Sequence, residues 1–289
     1  GFFSQRMNQL TCNARYMDEV ERVLYNNVLT GVSLSGDKYT YQNPLNTDKP
    51  DRWEWHVCPC CPPMFLKIMA AMPGYIYAYQ GDNVYVNLFI GSEVRVPVGK
   101  SNSVRLKQLT SYPWHGAVSI QVNPDKASTF SMKVRIPGWA QGTENPYDLY
   151  QSNLKAPVKL KVNQEDVLLR IVDGYAEINR EWKKGDHIEL ELPMQPRLIT
   201  ANKAVENLRG QVALASGPII YCFEDADNPE LQTFKLQAQT PLELSHDSNL
   251  LNGVNIIKCQ GDIPAKAIPY YAVANREESH SYKVWIPQK

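Results

Sequence analysis

Three of the six cysteines in this 289-residue chain fall within four positions, Cys58-Pro59-Cys60-Cys61, and Pro62-Pro63 follow directly. Thiols at this density suit two chemistries: nucleophilic attack by a thiolate and coordination of a soft metal. Just downstream, Phe65, Leu66, Ile68, Met69 and Met72 recur at helical spacing and stop at Pro73-Gly74. Proline suits the first turn of a helix, where its missing N–H loses no partner. The spacing therefore predicts a helix starting at the cysteines. Cys60 and Cys61 would sit at its positive end, where thiol pKa values fall. Two such thiolates side by side repel unless a cation lies between them. A metal site, a reactive thiolate or both fit this stretch. Inert packing explains clustered thiols poorly, and a disulfide between adjacent residues is strained. A structural zinc knuckle needs further ligands, for which His56 and Cys12 are the nearby candidates. Cys12, Cys222 and Cys259 stand alone in apolar surroundings and are expected to be small core hydrophobes.

The elements that must position the thiols come earlier. The first thirty residues read as helix, with Tyr16, Val20, Val23, Leu24 and Val28 as a buried stripe. Asn13 caps the start and Gly31 the end. Asp18, Glu19, Glu21 and Arg22 are expected on the solvated face, with Glu21 one turn from Tyr25. Residues 32–45 read as a hairpin turning at Ser35-Gly36-Asp37, with Tyr39 and Tyr41 alternating on the return strand. Residues 46–57 are polar and irregular. Trp53, Trp55 and His56 precede the cysteines there and suit either a sugar-stacking surface or an anchored loop.

Past Gly74 the period changes from helix to strand. Tyr75–Tyr79 and Val84–Phe89 flank the turn Gln80-Gly81-Asp82-Asn83. Short strands follow over 93–98, 103–110, 116–122, 129–136, 158–163, 167–171, 174–179 and 187–192, the spacing of an antiparallel sandwich. Residues 197–209 read as a polar connector. A second β region opens at Gln211–Leu214 and Pro218–Cys222, with loops over 224–231 and 245–253 and strands over 254–258, 267–273 and 281–286. Neither β region concentrates acids, histidines or glycines, so each reads as support.

The bulk numbers, 43% hydrophobic, 21% charged and zero net charge, describe an ordinary globular chain with room for two or three domains. No charge excess points to nucleic acid or an anionic membrane, and no apolar run approaches transmembrane length. The opening Gly1-Phe2-Phe3-Ser4-Gln5-Arg6 has neither the apolar core nor the cleavage signature of a signal peptide. It also lacks an initiator methionine, so the chain is expected to begin inside a larger protein. The sequence leaves open the compartment, cytoplasm or periplasm, and the oligomeric state, a homodimer included.

Several stretches together resemble one family. Ala14-Arg15-Tyr16-Met17-Asp18-Glu19-Val20-Glu21-Arg22-Val23-Leu24-Tyr25-Asn26 resembles a helix of the family 127 glycoside hydrolases, which include bacterial β-L-arabinofuranosidases. Gly36-Asp37-Lys38-Tyr39-Thr40-Tyr41-Gln42-Asn43-Pro44-Leu45 resembles the next hairpin, and Cys58-Pro59-Cys60-Cys61-Pro62-Pro63 the family's Cys-x-Cys-Cys-Pro-Pro signature. Arg135-Ile136-Pro137-Gly138-Trp139-Ala140, Gly174-Tyr175 with Arg180-Glu181-Trp182, Gly210 to Tyr221, and Ala267 to Ala272 with Asn275-Arg276 resemble its later segments.

The resemblance implies a mostly β chain: an N-terminal helical remnant of an (α/α)6 catalytic barrel over 1–74, then two antiparallel β-sandwich domains over 75–200 and 201–289. It implies a retaining zinc-thiolate glycoside hydrolase active in carbohydrate metabolism on L-arabinofuranoside-containing glycans. Cys60 matches the nucleophile and a zinc ligand, and Cys61 a second ligand. Glu21 and Tyr41 match positions lining the sugar pocket, while Cys58 matches a cysteine of unassigned role. In the family the acid/base glutamate and a Glu-x-Cys pair of zinc ligands precede the long helix. The chain is therefore expected to be truncated, to hold zinc weakly or not at all, and to be inactive alone. Met64 stands where the family commonly has asparagine. The alternative is a non-catalytic carbohydrate-binding or docking module formed by the sandwiches.

Overall fold

The structure, a computed structural model, describes residues 1–145, 148–154, 156–260 and 263–289. The helix expected over the first thirty residues is broken. Helix α1 spans Phe2–Thr11 and α2 spans Arg15–Val23, with Cys12 between them in the left-handed region at φ 52°. Tertiary contacts force the break. The Ala14 N–H donates to the Asp173 carbonyl at 2.8 Å, and Ala14 is fully buried against Gly174. A Cβ at Gly174, whose φ is +81°, would come within 2.6 Å of the Ala14 methyl. Asn13 caps α2 as expected, its side-chain oxygen accepting the Arg15 N–H at 3.1 Å. A π turn over Leu24–Val28 and a 3-10 turn over Leu29–Gly31 complete the segment. Its buried side is Met17, Val20, Glu21, Leu24 and Tyr25, while Tyr16, Val23 and Val28 are half-buried.

Helix α3 spans Cys61–Ala71, so it begins at the paired cysteines with Pro62 and Pro63 in its first turn. It does not give way to strand at Pro73-Gly74. Pro73–Ile76 makes a further helical turn, α4, which buries Tyr75 and Ile76. The proline here starts a helical turn instead of ending one. The first strand is shortened to Tyr77–Gln80.

Beyond this point the fold is mostly β, in curled and largely antiparallel sheets. Among the described residues, one sheet orders Ile171–Val172, Tyr175–Trp182, Ser128–Arg135, Asn83–Val86 and Tyr77–Gln80; Asn83–Val86 runs parallel to Ser128–Arg135. A second orders Glu165–Asp166, Lys159–Val162, Asp186–Glu191, Ala117–Pro124, Asn102–Thr110 and Ser92–Val98. Alternation sets which face is buried. Val104 and Leu106 are inside while Arg105 and Lys107 are outside, and the register continues the row through Leu106↔Val122. The Gln108 amide donates to the Tyr77 hydroxyl at 2.9 Å and the Leu88 carbonyl at 3.2 Å, joining the two sheets through their core.

Among the described residues the second β region is a ten-stranded sheet whose main path runs Leu242–Asp247, Val254–Cys259, Ala265–Pro269, Ile219–Glu224, Gln211–Ser216, Arg197–Ala201 and Tyr150–Ser152. Two readings are corrected here. Residues 197–201 are a strand and not a connector, because Arg197 is buried in a two-pronged ion pair with Glu144 at 2.6 and 2.9 Å. The stretch expected as loop over 245–253 starts as strand, since Leu242–Asp247 pairs along Val254–Cys259.

The chain divides into two compact units. One comprises Gly1–Glu21, Ala70–Gln141 and Lys155–Met194 and holds the five- and six-stranded sheets. The other comprises Arg22–Met69, Gly142–Leu154 and Gln195–Lys289 and holds the ten-stranded sheet.

Candidate functional site

The cysteine turn is carried on a braced loop. Arg52 is half-buried, and its guanidinium donates to the Thr30 carbonyl at 3.0 Å and the Val273 carbonyl at 2.9 Å. Next to it, Trp53 exchanges two backbone hydrogen bonds with Tyr39 at 2.9 and 2.8 Å. The expected hairpin over 32–45 is thus a pair of single bridges, Val32 to Tyr39 and Tyr39 to Trp53. Tyr39 points inward and Tyr41 outward, at 6% and 41% exposure, as their alternation predicts.

Tyr41, Trp53 and His56 form a cluster of three nearly parallel rings, with Tyr41 and Trp53 5.9 Å apart. The ring centroids of His56 lie 4.5 Å from Tyr41 and 4.6 Å from Trp53, with interplanar angles of 26° and 12°. His56 Nδ1 accepts the Cys58 N–H at 3.2 Å. Trp53 and His56 therefore anchor the loop, whereas Trp55 is 71% exposed.

The six cysteines are all free thiols; Cys58 and Cys60 are exposed and Cys61 is half-buried. The Cys60 and Cys61 sulfurs lie 3.9 Å apart at the start of α3. Negative charge on Cys60 and then Cys58 holds the Tyr41 phenol above its usual range. Pro62 and Pro63 carry no N–H, so the helix dipole reaches the thiols with few direct donors beside it. Among the described residues no three His, Cys, Asp or Glu side chains are grouped to hold a metal. Cys12, a candidate ligand in the knuckle alternative, belongs to the other unit, where its thiol faces Gln80 Oε1 at 3.7 Å. It lines a cleft of about 430 Å³ with Tyr77, Tyr79 and Tyr85 and is half-buried, unlike Cys222 and Cys259, which are buried as expected.

Glu21 also belongs to the other unit and is not on a solvated face. It is 2% exposed. Its Oε1 accepts from the Tyr112 hydroxyl at 2.8 Å and from Arg135 Nη2, and its Oε2 from Trp139 Nε1 at 3.3 Å. Arg135, with no exposed surface, also donates to Asp18 at 2.6 Å. The two carboxylates hold the Arg135 guanidinium firmly charged against the cost of burial, while burial pushes the Asp18 carboxyl up to about 6. Sequence reasoning missed this cluster. Its one signal was an arginine set directly between two apolar residues, Val134 and Ile136.

Three domain models of one family match the chain in succession: "Beta-L-arabinofuranosidase, GH127 catalytic domain" over residues 1–74, the GH127 middle domain over 83–194, and the glycoside hydrolase family 127 C-terminal domain over 196–287. This chain belongs to glycoside hydrolase family 127. The family 127 chain is 29% identical, across 95% of its length, to a non-reducing end β-L-arabinofuranosidase of Bifidobacterium longum subsp. longum. It superposes on a solved GH127 β-arabinofuranosidase with a TM-score of 0.92 at 34% identity, over 99% of its length. A GH127 β-L-arabinofuranosidase from Geobacillus stearothermophilus T6 gives 0.90 at 34% identity, over 100% of its length. The family 127 chain spans about half the length of these relatives, covering 46% of the first and 48% of each of the others.

Proposed function

We propose that this chain carries the thiol side of the catalytic centre of a retaining glycoside hydrolase acting on β-L-arabinofuranosides. Cys60 is the nucleophile, Cys61 a second sulfur ligand, and Tyr41 lies against the sugar. The supporting observation is the pair of Cys60 and Cys61 sulfurs, 3.9 Å apart at the start of α3. Zinc fits this pair: two sulfurs at ~2.3 Å from a tetrahedral ion are about 3.8 Å apart. When bound, zinc keeps thiols deprotonated near neutral pH.

Cys60 Sγ forms a bond to the anomeric carbon as the glycosidic C–O bond breaks. The electron pair leaves with the aglycone oxygen, which takes a proton from a carboxylic acid. Water then attacks the same carbon, giving its proton to the carboxylate left by that acid, and the sulfur departs with its electron pair, so two inversions give retention. Both Glu21 oxygens already accept hydrogen bonds. Glu21 therefore enters this reading as the residue that fixes Arg135 against α2, in place of the sugar-lining position that the resemblance implies.

The family resemblance assigns the acid and two further ligands to residues preceding the long helix. We therefore expect the polypeptide 1–289 alone to hold zinc weakly and to release no arabinose. Stoichiometric zinc by elemental analysis, lost in Cys60→Ser, or robust arabinose release by the purified chain would overturn that expectation. The nucleophile assignment is tested in a chimaera. Residues 1–289 replace their counterpart in the Geobacillus relative, and release of arabinose from an arabinofuranoside is followed. Activity that disappears with Cys60→Ser is expected. A folded Cys60→Ser chimaera of undiminished activity would remove Cys60 from the role.

A further inference from the structure

We infer that His56 is a positioning residue for the nucleophile, holding the Cys58–Cys61 turn through its Nδ1 while the rings of Tyr41 and Trp53 pack against its own. The inference rests on the reading of Cys60 given above, and three geometric facts carry it. The imidazole packs nearly parallel to two neighbouring rings, at 4.5 and 4.6 Å, which restricts its plane. Its Nδ1 accepts the Cys58 N–H at 3.2 Å, which fixes the backbone two residues ahead of Cys60. The Trp53 contact is rooted: its backbone is paired with buried Tyr39, and neighbouring Arg52 is bonded to the Thr30 and Val273 carbonyls. An unbroken line of fixed groups thus runs from Arg52 through Trp53 and His56 to the amide of Cys58.

The Nδ1 bond has the geometry of an Asx turn, in which an asparagine oxygen accepts the N–H two residues on. Imidazole Nδ1 and the asparagine oxygen both sit one bond beyond Cγ. This equivalence separates the two halves of the device. His56→Phe keeps a ring to stack and deletes the acceptor; His56→Asn keeps the acceptor and deletes the ring.

The test uses the full chain and two readouts, hydrogen exchange at the Cys58 amide and the iodoacetamide alkylation rate of Cys60 relative to Cys58, mapped by mass spectrometry. Circular dichroism and thermal midpoints confirm the fold of each variant. His56→Phe is expected to speed Cys58 exchange about fivefold, the loss of one ordinary hydrogen bond. It should also move the alkylation ratio at least about threefold toward that of the urea-unfolded chain, with its midpoint little changed. His56→Asn is expected to bring both readouts back toward the parent. Parental values in His56→Phe, or failure of His56→Asn to restore them, would overturn the inference and leave His56 a stacking anchor only. Both readouts concern the turn and not turnover, so an active Cys60→Ser chimaera would defeat the nucleophile reading without changing them.

Discussion

Arg135 has no exposed surface, and two carboxylates, the Asn87 carbonyl and the ring of Phe89 surround it. Replacing it with methionine leaves the buried Glu21 carboxyl without its guanidinium partner. Arg135→Met should cost about 3–5 kcal/mol in a urea titration. Arg135→Lys should recover little, because only the planar guanidinium serves both carboxylates at once. Asp18 gives a pH dependence of definite sign. Its folded value, about 6, lies above the ordinary 3.8. A raised carboxyl contributes stability that is fully present below the ordinary value and is lost as pH rises through about 6. Urea midpoints should carry a falling component between about pH 4 and pH 6, up to about 3 kcal/mol, that Asp18→Asn abolishes. The sequence concealed all of this. Four charges within Asp18–Arg22 look like a solvated face, and the residue that buries two of them lies 114 positions beyond Glu21. The thiols were legible because their neighbours in space are also their neighbours in sequence.

The same contrast holds for elements. The start of α3 could be read locally, since Pro62 and Pro63 admit a first turn and the apolar spacing continues it. The break between α1 and α2 could not, because Asp173 and Gly174 impose it from the far end of a β region. Gly174→Ala must both hold φ near +81° and push aside the Ala14 methyl. It should destabilise the chain by about 2 kcal/mol or more, read from a denaturant midpoint with an unchanged slope. Strands with clean alternation, such as Asn102–Thr110, matched their expected ranges closely. Leu242–Asp247 was hidden because Ser245, His246 and Asp247 carry no apolar period; backbone pairing along Val254–Cys259 makes it a strand.

At the scale of the molecule, seven large apolar side chains between Tyr41 and Met69 are 39–92% exposed. The net charge is zero, so little repulsion opposes contact between copies. Concentration-dependent association near neutral pH should appear in sedimentation velocity and weaken when Leu66→Glu and Met69→Glu are combined. Persistence of the same association in the double variant would place its cause elsewhere. Family and fold class were legible across the chain because the motif segments recur along it. The surroundings of Glu21 were not, since they depend on which side chains the sheets bring inward.

The prolines that open α3 bear on which ligands its end can hold. Helix starts that hold phosphate do so with amide hydrogens in the first turn. Here two of those positions have none, so an oxyanion meets the dipole's field with few donors to bind it. The strong donors left at that end are sulfur atoms, which prefer soft cations. Phosphorylated sugars and uronic acids are thereby disfavoured relative to a neutral furanoside, and millimolar phosphate should leave the alkylation rate of Cys60 unchanged.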